Sequence, residues 1–213
     1  MSDHRLSGAG STNRLIADGH VRGGGSPFAL PVGLKGRLAG WYMGRPDAQH
    51  RELARVAPLE RRTRVVEIGF GPGQLLEMFH LRAPGLDLAG VDPSELMVGR
   101  ARRRCPSAHL HLGAAATTPF PANHADFIIS VNNIPMWPDL DAGLVEVRRL
   151  LQPGGVAWFA WHGGHDPRGH QRRLVLGAEQ RATIEATIGR HFAEVCPITL
   201  QHSDVWEASG AGR

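Results

Sequence analysis

The sequence contains little cysteine and almost no lysine, and both shortages exclude classes of protein. Cys105 and Cys196 are the only cysteines, too few and too far apart for a disulfide framework or a cysteine-rich zinc site. Lys35 is the only lysine, so the net charge of +4 comes from scattered arginines. The one dense run, residues 102–104, falls where a helix should end, and there it complements the helix dipole rather than forming a phosphate-binding patch.

Long hydrophobic runs are also absent. Apolar residues make up 42% of the chain, but they never fill the ~20 consecutive positions that a membrane-spanning helix needs. The first residues lack the apolar core and cleavage site of a secretory leader. We therefore expect a cytoplasmic protein with no membrane partner.

The 213 residues allow one sizeable domain with its own core. Residues 1–33 are rich in Gly, Ser and Pro and predict a flexible N-terminal arm. Residues 34–58 predict a helical lid, with short helices at 34–44 and 46–57. Residues 59–213 form the predicted core domain.

Strand-length apolar runs alternate with helix-period segments through this core domain. The predicted strands are RVVEI, DLAGV, HLHLG, ADFIISV and VAWFAWH, and AEVCPITLQ with DVWEAS predicts a closing hairpin. The predicted helices are QLLEMFHLRA, SELMVGRARRR, AGLVEVRRLL, which QPGG ends, and EQRATIEATIGRHF. This alternation predicts an α/β fold with a mostly parallel, Rossmann-like sheet and helices on both faces.

Three glycines punctuate the first predicted strand-to-helix turn, VVEIGFGPG. Gly69 permits a sharp exit from the strand, Gly71 lets a ligand lie against bare backbone, and Gly73 lets the next helix start close to the sheet. A dinucleotide fingerprint would need glycine at position 74, where the chain has Gln74, and no Walker lysine follows.

Two carboxylates accompany this turn. Glu67 lies on the strand before the glycines, where it suits a cationic ligand better than a pyrophosphate. Asp92 ends the second strand, where an acidic side chain accepts hydrogen bonds from ribose hydroxyls. A ribose together with a cationic tail indicates S-adenosylmethionine as the cofactor and S-adenosylhomocysteine as its product.

These motifs resemble those of the class I S-adenosylmethionine-dependent methyltransferases, especially small bacterial ones similar to the ubiquinone and menaquinone biosynthesis enzymes (methyltransferase type 11). The resemblance covers residues 59–210. It rests on VVEIGFGPG, GVDPSELM, TTPFP followed by ADFIISVNN, and RRLLQPGG, in this order. It implies a seven-stranded sheet whose last strand is antiparallel.

The resemblance also implies a cofactor position. The amino-acid end of the cofactor would lie near Glu67 and Gly69, and its ribose on Asp92. The adenine would pack near Pro93 and Met97. Asn132 would border the methionine moiety and the transferred methyl group.

The chain departs from the family pattern after the third strand. Relatives usually carry an acidic residue there that binds the adenine amino group, at the place of Ala114 or Ala115. Backbone groups of these alanines can still contact adenine, but a lost hydrogen bond to a charged acceptor costs about 1.5–3 kcal/mol. Weaker cofactor binding is therefore expected, and a noncatalytic relative stays open as an alternative.

Residues after the fourth strand are candidates for recognition of the methyl acceptor. Met136 and Trp137 would wall its cavity. The run Asn133-Ile134-Pro135-Met136 matches two of the four positions of the Asn-Pro-Pro-aromatic motif of amino-methyltransferases. From the lid, the side chains of Trp41, Tyr42 and Met43 offer a hydrophobic cover, which favours an apolar or aromatic acceptor.

The loop after the fifth strand, WHGGHDPRGH, gathers several polar side chains. His162 and His165 are candidates for a base or for orienting the acceptor. Together with Asp166 and His170 they have metal-ligating chemistry, but no second cluster completes a site, and we predict no metal. His109 and His111 alternate along a strand and carry no functional signal.

The sequence thus predicts in-line methyl transfer to a small-molecule acceptor whose reacting atom is N, O or C. The basic pI of about 10.0 leaves RNA or protein as an alternative acceptor, although we expect no appended recognition domain. The oligomeric state is not predicted.

Overall fold

The computed structural model describes residues 48–60, 62–167 and 169–210. The strands in this part are β1 Arg64–Ile68, β2 Asp87–Asp92, β3 His109–Leu112, β4 Ala125–Val131, β5 Leu151–His162, β6 Glu194–Thr199 and β7 Ser203–Ser209. The α-helices are α1 Ala48–Val56, α2 Gln74–Arg82, α3 Glu95–Arg104, α4 Leu140–Leu150 and α5 Ala178–His191. Two 3₁₀ turns, Ile134–Met136 and Gly169–Leu174, follow β4 and β5.

The strands form one seven-stranded sheet in the order β3-β2-β1-β4-β5-β7-β6. The pairs from β3 to β5 are parallel, whereas β7 runs antiparallel to both β5 and β6. The predicted Rossmann-like sheet with an antiparallel last strand is therefore confirmed. The strand order reverses between β1 and β4, which is where open α/β sheets bind ligands, beyond the carboxyl ends of the strands.

Alternation along the buried strands builds a core on each face of the sheet. Val66 and Ile68 of β1 face one cluster, to which α4 and α5 contribute Leu144, Val147, Leu150, Ile184 and Ile188. Val65 faces the other, to which α1, α2 and α3 contribute Leu53, Ala54, Leu75, Leu76, Phe79, Val98 and Ala101. Because both faces are covered, the inner strands are apolar almost throughout.

Strand β5 begins earlier than predicted. QPGG was expected to end the preceding helix, but β5 starts at Leu151, directly after α4. Leu151 pairs with Ala125, and pairing then shifts so that Val156 meets Phe127. Gly154, with φ of 79°, allows the chain to bulge between these pairs. Periodicity alone did not show that this turn is enclosed within a strand.

The structure also bears on several smaller predictions. Helix α3 ends at Arg104, as predicted, and Arg102 and Arg104 donate to the carbonyls of Leu110 and Pro72. Cys105 and Cys196 are both free thiols.

In the part of the chain that is described, no helix has the length and apolar character that crossing a bilayer requires. The predicted arm (1–33) and the first lid helix (34–44) lie outside the described residues.

Candidate active site

The glycine turn joins β1 to α2 at the carboxyl edge of the sheet. Gly69, Gly71 and Gly73 all have left-handed backbones, with φ of 75°, 53° and 79°. A Cβ on Gly71 would meet no atom within 4 Å, whereas one on Gly73 would lie 2.8 Å from the Cβ of Ala101. Gly71 thus presents bare backbone to open space, and Gly73 allows α2 to pack closely on α3.

Asn133, just after β4, holds the first glycine in place. Its Nδ2 donates to the carbonyl oxygens of Ile68 (2.9 Å) and Gly69 (3.2 Å), and its Oδ1 accepts from Ser130 Oγ and from Trp137 Nε1. The sequence predicts that this side chain binds the acceptor. In the structure its donors and its acceptor oxygen are used in hydrogen bonds to the glycine turn and to its own loop.

The carboxylate of Asp92 supports the same turn from β2. Its Oδ2 accepts from the backbone N–H of Gly71 at 2.8 Å, and its Oδ1 accepts from that of Ser94 at 2.9 Å. Burial raises the pKa of Asp92, and these two N–H groups pull it back. Each carboxylate oxygen can accept a further hydrogen bond, so Asp92 both shapes the turn and keeps acceptor capacity for a ligand.

Glu67 is the most unusual group of the site. It is only 2% exposed, and its Oε2 is buried with no hydrogen-bond partner. Burial raises the pKa of this carboxyl well above its ordinary value, and the nearby charge of Asp92 raises it further. A buried carboxylate oxygen without a donor makes the group costly to ionise, so a cationic or donating ligand would stabilise Glu67.

Gln74 opens α2 immediately after the turn and is 3% exposed. Its Nε2 is also buried without a partner. Sequence reasoning used Gln74 only to reject a dinucleotide fingerprint and did not consider it as a site residue. The polar residue at the first position of an otherwise apolar, buried helix start was the available signal.

The predicted adenine region lies beyond β2 and β3. Met97 is 1% exposed, whereas Pro93 is exposed at the start of the segment leading to α3. Ala114 is exposed and bridges to Thr117, and Ala115 packs on the core from a half-buried position. No acidic side chain stands at these alanines, as the sequence shows.

Asn132 directly follows β4 and has φ of 58°, an unusual backbone for a residue other than glycine. Its side chain forms a reciprocal amide pair with Gln49 of α1: Asn132 Nδ2 donates to Gln49 Oε1 (2.7 Å), and Gln49 Nε2 donates to Asn132 Oδ1 (3.2 Å). Gln49 is fully buried. Sequence reasoning missed it because its partner lies 83 positions away.

The two candidate histidines, His162 and His165, differ in burial. His162 is 9% exposed and pairs across the sheet with Ser203 of β7. The hydroxyl of Ser203 is buried without a partner, and the sequence analysis did not single it out. His165 is exposed, and its backbone N–H donates to Leu200.

The described residues contain no group of three or more His, Cys, Asp or Glu placed to hold a metal ion. Asp166 also lies in this loop, where its backbone N–H donates to Gln201. The side chain of His170 lies outside the described part.

The remaining acceptor candidates have different surroundings. Trp137 is 8% exposed and packs edge-on against Phe159 in the core. Met136 is half-buried in the 3₁₀ turn after β4. Trp41, Tyr42 and Met43 lie outside the described residues.

The arrangement fits S-adenosylmethionine. The unpartnered oxygen of Glu67 needs a cationic or hydrogen-bond-donating group, which the amino-acid end of this cofactor carries. The open space over Gly71 lies next to Asp92, whose spare lone pairs suit ribose hydroxyls. Neither feature would suit a pyrophosphate, which binds backbone N–H groups and disfavours carboxylates.

Comparison with known proteins gives the same family. A methyltransferase domain family matches residues 65–155. An uncharacterized methyltransferase of Mycobacterium tuberculosis is 30% identical over 170 residues, which cover 75% of this chain and 68% of that protein. The trans-aconitate 2-methyltransferase of Variovorax paradoxus is 34% identical over 166 residues, covering 72% of this chain and 63% of the relative.

A third curated relative is shorter in its match. The uncharacterized methyltransferase YdaC of Bacillus subtilis is 39% identical over 95 residues, covering 44% of this chain and 52% of YdaC. The chain therefore spans about half to two thirds of the length of these first relatives.

A solved structure supports the fold. The crystal structure of a putative S-adenosylmethionine-dependent methyltransferase from Methanococcus maripaludis superimposes with a TM-score of 0.68 at 17% identity, covering 83% of this chain and 94% of that one. Fold, site chemistry and relatives agree, and the chain belongs to the class I S-adenosylmethionine-dependent methyltransferases.

Proposed function

We propose that this protein binds S-adenosylmethionine at the carboxyl edge of its sheet and transfers the methyl group to a small-molecule acceptor. The observation that carries the proposal is the buried, unpartnered Oε2 of Glu67 beside the glycine turn. A buried polar atom without a hydrogen-bond partner destabilises the folded protein, so its presence here points to a bound ligand. Family membership says which ligand that is.

Different residues would hold the different parts of the cofactor. Glu67 and the backbone of Gly69 and Gly71 would bind the amino-acid end, and Asp92 the ribose. Met97 and the segment at Ala114 and Ala115 would lie against the adenine. Asn132 would border the methyl group, at the strand where the sheet order reverses.

The sulfonium of the bound cofactor makes its methyl carbon electrophilic. The chain then has to align the acceptor with the departing sulfur and exclude competing water. His162, the last residue of β5, pairs with Ser203 across the sheet and would be the base that takes a proton from an oxygen acceptor. A neutral amine would need no such base.

Relatives support a small acceptor. The Variovorax paradoxus and Paracidovorax citrulli relatives are trans-aconitate 2-methyltransferases. A solved relative from Haemonchus contortus, 25% identical with a TM-score of 0.55, covering 70% of this chain and 38% of that one, binds phosphomonomethylethanolamine together with S-adenosylhomocysteine. Both compounds are small and polar, so acceptor tests should include polar acids and amines as well as the apolar compounds that the predicted lid favours.

An assay with methyl-labelled S-adenosylmethionine tests the proposal. The protein is incubated with pooled small carboxylic acids, phenols and amines, with bulk RNA and with a cell protein extract, and label transfer and S-adenosylhomocysteine are both measured. Transfer to a small-molecule pool that Asp92→Ala abolishes supports the proposal. Transfer only to RNA or protein, or cofactor binding without transfer to any pool, would contradict it.

A further inference from the structure

Helix α1 reaches the candidate site through a single buried side chain. Gln49 is fully buried in a nine-residue helix. A buried amide is costly unless both its donor and its acceptor find partners. Both do so in the reciprocal pair with Asn132, so the helix is tied to the end of β4 by two hydrogen bonds.

This pair acts on a residue with an unusual backbone. Asn132 has φ of 58°, a conformation that costs energy for a side chain other than glycine, although asparagine tolerates it better than most. Its backbone N–H donates to the carbonyl of Ala160 at 2.9 Å. The amide pair therefore holds the left-handed turn from the side-chain end, while β5 holds it from the backbone.

The left-handed turn at Asn132 sets the direction of the next residue. Asn133 there points its amide at the glycine turn and donates to Ile68 and Gly69. A continuous path of contacts thus runs from α1 through Asn132 and Asn133 to the backbone that would hold the cofactor.

A second buried polar residue of the same helix provides a comparison. Glu52 is 9% exposed and accepts from the backbone N–H groups of Gln201 and His202, at 2.8 and 2.9 Å. It therefore docks α1 onto the β6–β7 turn, and β7 is separated from β1, the strand before the glycine turn, by β4 and β5. Loss of Glu52 would loosen the helix without touching Asn132.

We infer that Gln49 is a positioning residue of the cofactor site: by pairing with Asn132 it sets the turn after β4 and, through Asn133, the glycine turn. The inference rests on the proposed function, because it concerns how that same site is held. It assigns to α1 a part in cofactor affinity that helix packing alone would not give it.

The test compares Gln49→Leu with Glu52→Leu in the full chain. Both variants remove a buried polar anchor of α1, and both are expected to lower the melting temperature. The dissociation constant of S-adenosylhomocysteine, measured by calorimetric titration, is expected to rise about tenfold in Gln49→Leu and less than about twofold in Glu52→Leu. Equal affinity losses in the two variants, or none in Gln49→Leu, would overturn the inference.

A conservative variant separates pairing from packing. A protonated glutamate can both donate to and accept from an amide, as glutamine does. Gln49→Glu at about pH 6, where burial favours the protonated acid, is expected to bind within about twofold of the wild type. If Gln49→Glu at this pH binds S-adenosylhomocysteine as weakly as Gln49→Leu does, the proposed role of the Gln49–Asn132 pair is overturned.

The two proposals can fail separately. Wild-type protein that does not bind S-adenosylhomocysteine would overturn the proposed function and this inference with it. Wild-type binding together with an unaffected Gln49→Leu would overturn the inference alone.

Discussion

The side chain of Asn133 fills the space in which a Cβ on Gly69 would lie. A Cβ built there would stand 2.2 Å from Asn133 Nδ2 and 2.7 Å from its Cγ. Gly69 therefore serves two purposes. It adopts a left-handed backbone, and it leaves room for the side chain of Asn133, just after β4, to hydrogen-bond the turn. Both purposes concern the missing side chain, and the backbone of Gly69 stays available to the proposed cofactor.

Gly69→Ala is expected to destabilise the protein by about 3 kcal/mol, because the left-handed backbone and the clash with Asn133 both cost energy. Gly71→Ala has the backbone cost without a clash, since nothing lies within 4 Å of its would-be Cβ, and should lose only about 1 kcal/mol. Urea unfolding measures both. Similar losses in the two variants would contradict the role given to Asn133.

Gly71→Ala is also expected to impair ligand binding, measured by calorimetric titration. Gly71→Ala places a methyl group where the cofactor is proposed to lie against the backbone, so it should bind S-adenosylhomocysteine far more weakly while remaining folded. Normal binding by a folded Gly71→Ala would move the proposed ligand away from this turn.

Glu67→Gln is expected to raise the stability of the ligand-free protein and lower its affinity for the cofactor. The raised pKa of this buried carboxyl means that the folded state binds its proton more tightly than the unfolded state does. Its contribution to stability is therefore full below the unfolded pKa and is lost as pH rises toward the folded value. Glutamine has nearly the same shape as glutamate but cannot ionise, so the Glu67→Gln variant does not lose stability in this way.

Thermal unfolding of wild type and Glu67→Gln between about pH 5 and 8 measures this contribution. The advantage of the variant should grow as pH rises. An advantage that is constant across the range would show that Glu67 has the same pKa in the folded and unfolded states.

Glu146 should show the reverse pH dependence. It accepts from Arg149 and from the backbone and hydroxyl of Thr118, and Arg149 first of all lowers its pKa from 4.5 to about 2. The contribution of Glu146 to the stability of the fold is present above its pKa in the unfolded chain, and it is lost as pH falls toward its lower pKa in the folded protein. Because Arg149 is 37% exposed, solvent screening reduces the effect to about 2 kcal/mol.

Urea unfolding of Glu146→Gln tests this sign. The variant should be less stable than the wild type near neutral pH, and the difference should shrink between about pH 5 and 3. A difference that widens on acidification would contradict the assignment.

The sheet, its strand types and the motif-bearing turns were predictable because they depend on local patterns. The glycines, Glu67 and Asp92 stand at fixed spacings from strand ends, so their shared edge followed from a parallel sheet. The contacts of Asn133 and Gln49 were not predictable in the same way. Asn133 meets Gly69 from 64 positions away, and Gln49 meets Asn132 from 83 positions away, so nothing in either local sequence identifies the partner.

The bulge in β5 was missed for a related reason. A Gly-Gly pair normally marks a turn between elements, but here pairing with β4 continues on both sides of it. Only the partner strand distinguishes an interrupted strand from a helix-to-strand turn.

The central claim is that the edge formed by the glycine turn and Asp92 binds S-adenosylmethionine. Calorimetric titration of this cofactor and of S-adenosylhomocysteine into wild type, Asp92→Ala and Asp126→Ala tests it most directly. Asp126 is a matched control, because its carboxylate also accepts backbone N–H groups, those of Thr63 and Arg64, at the opposite edge of the sheet. We predict binding by the wild type and Asp126→Ala and its loss in Asp92→Ala; no binding by the wild type, or equal binding by folded Asp92→Ala, would contradict the account.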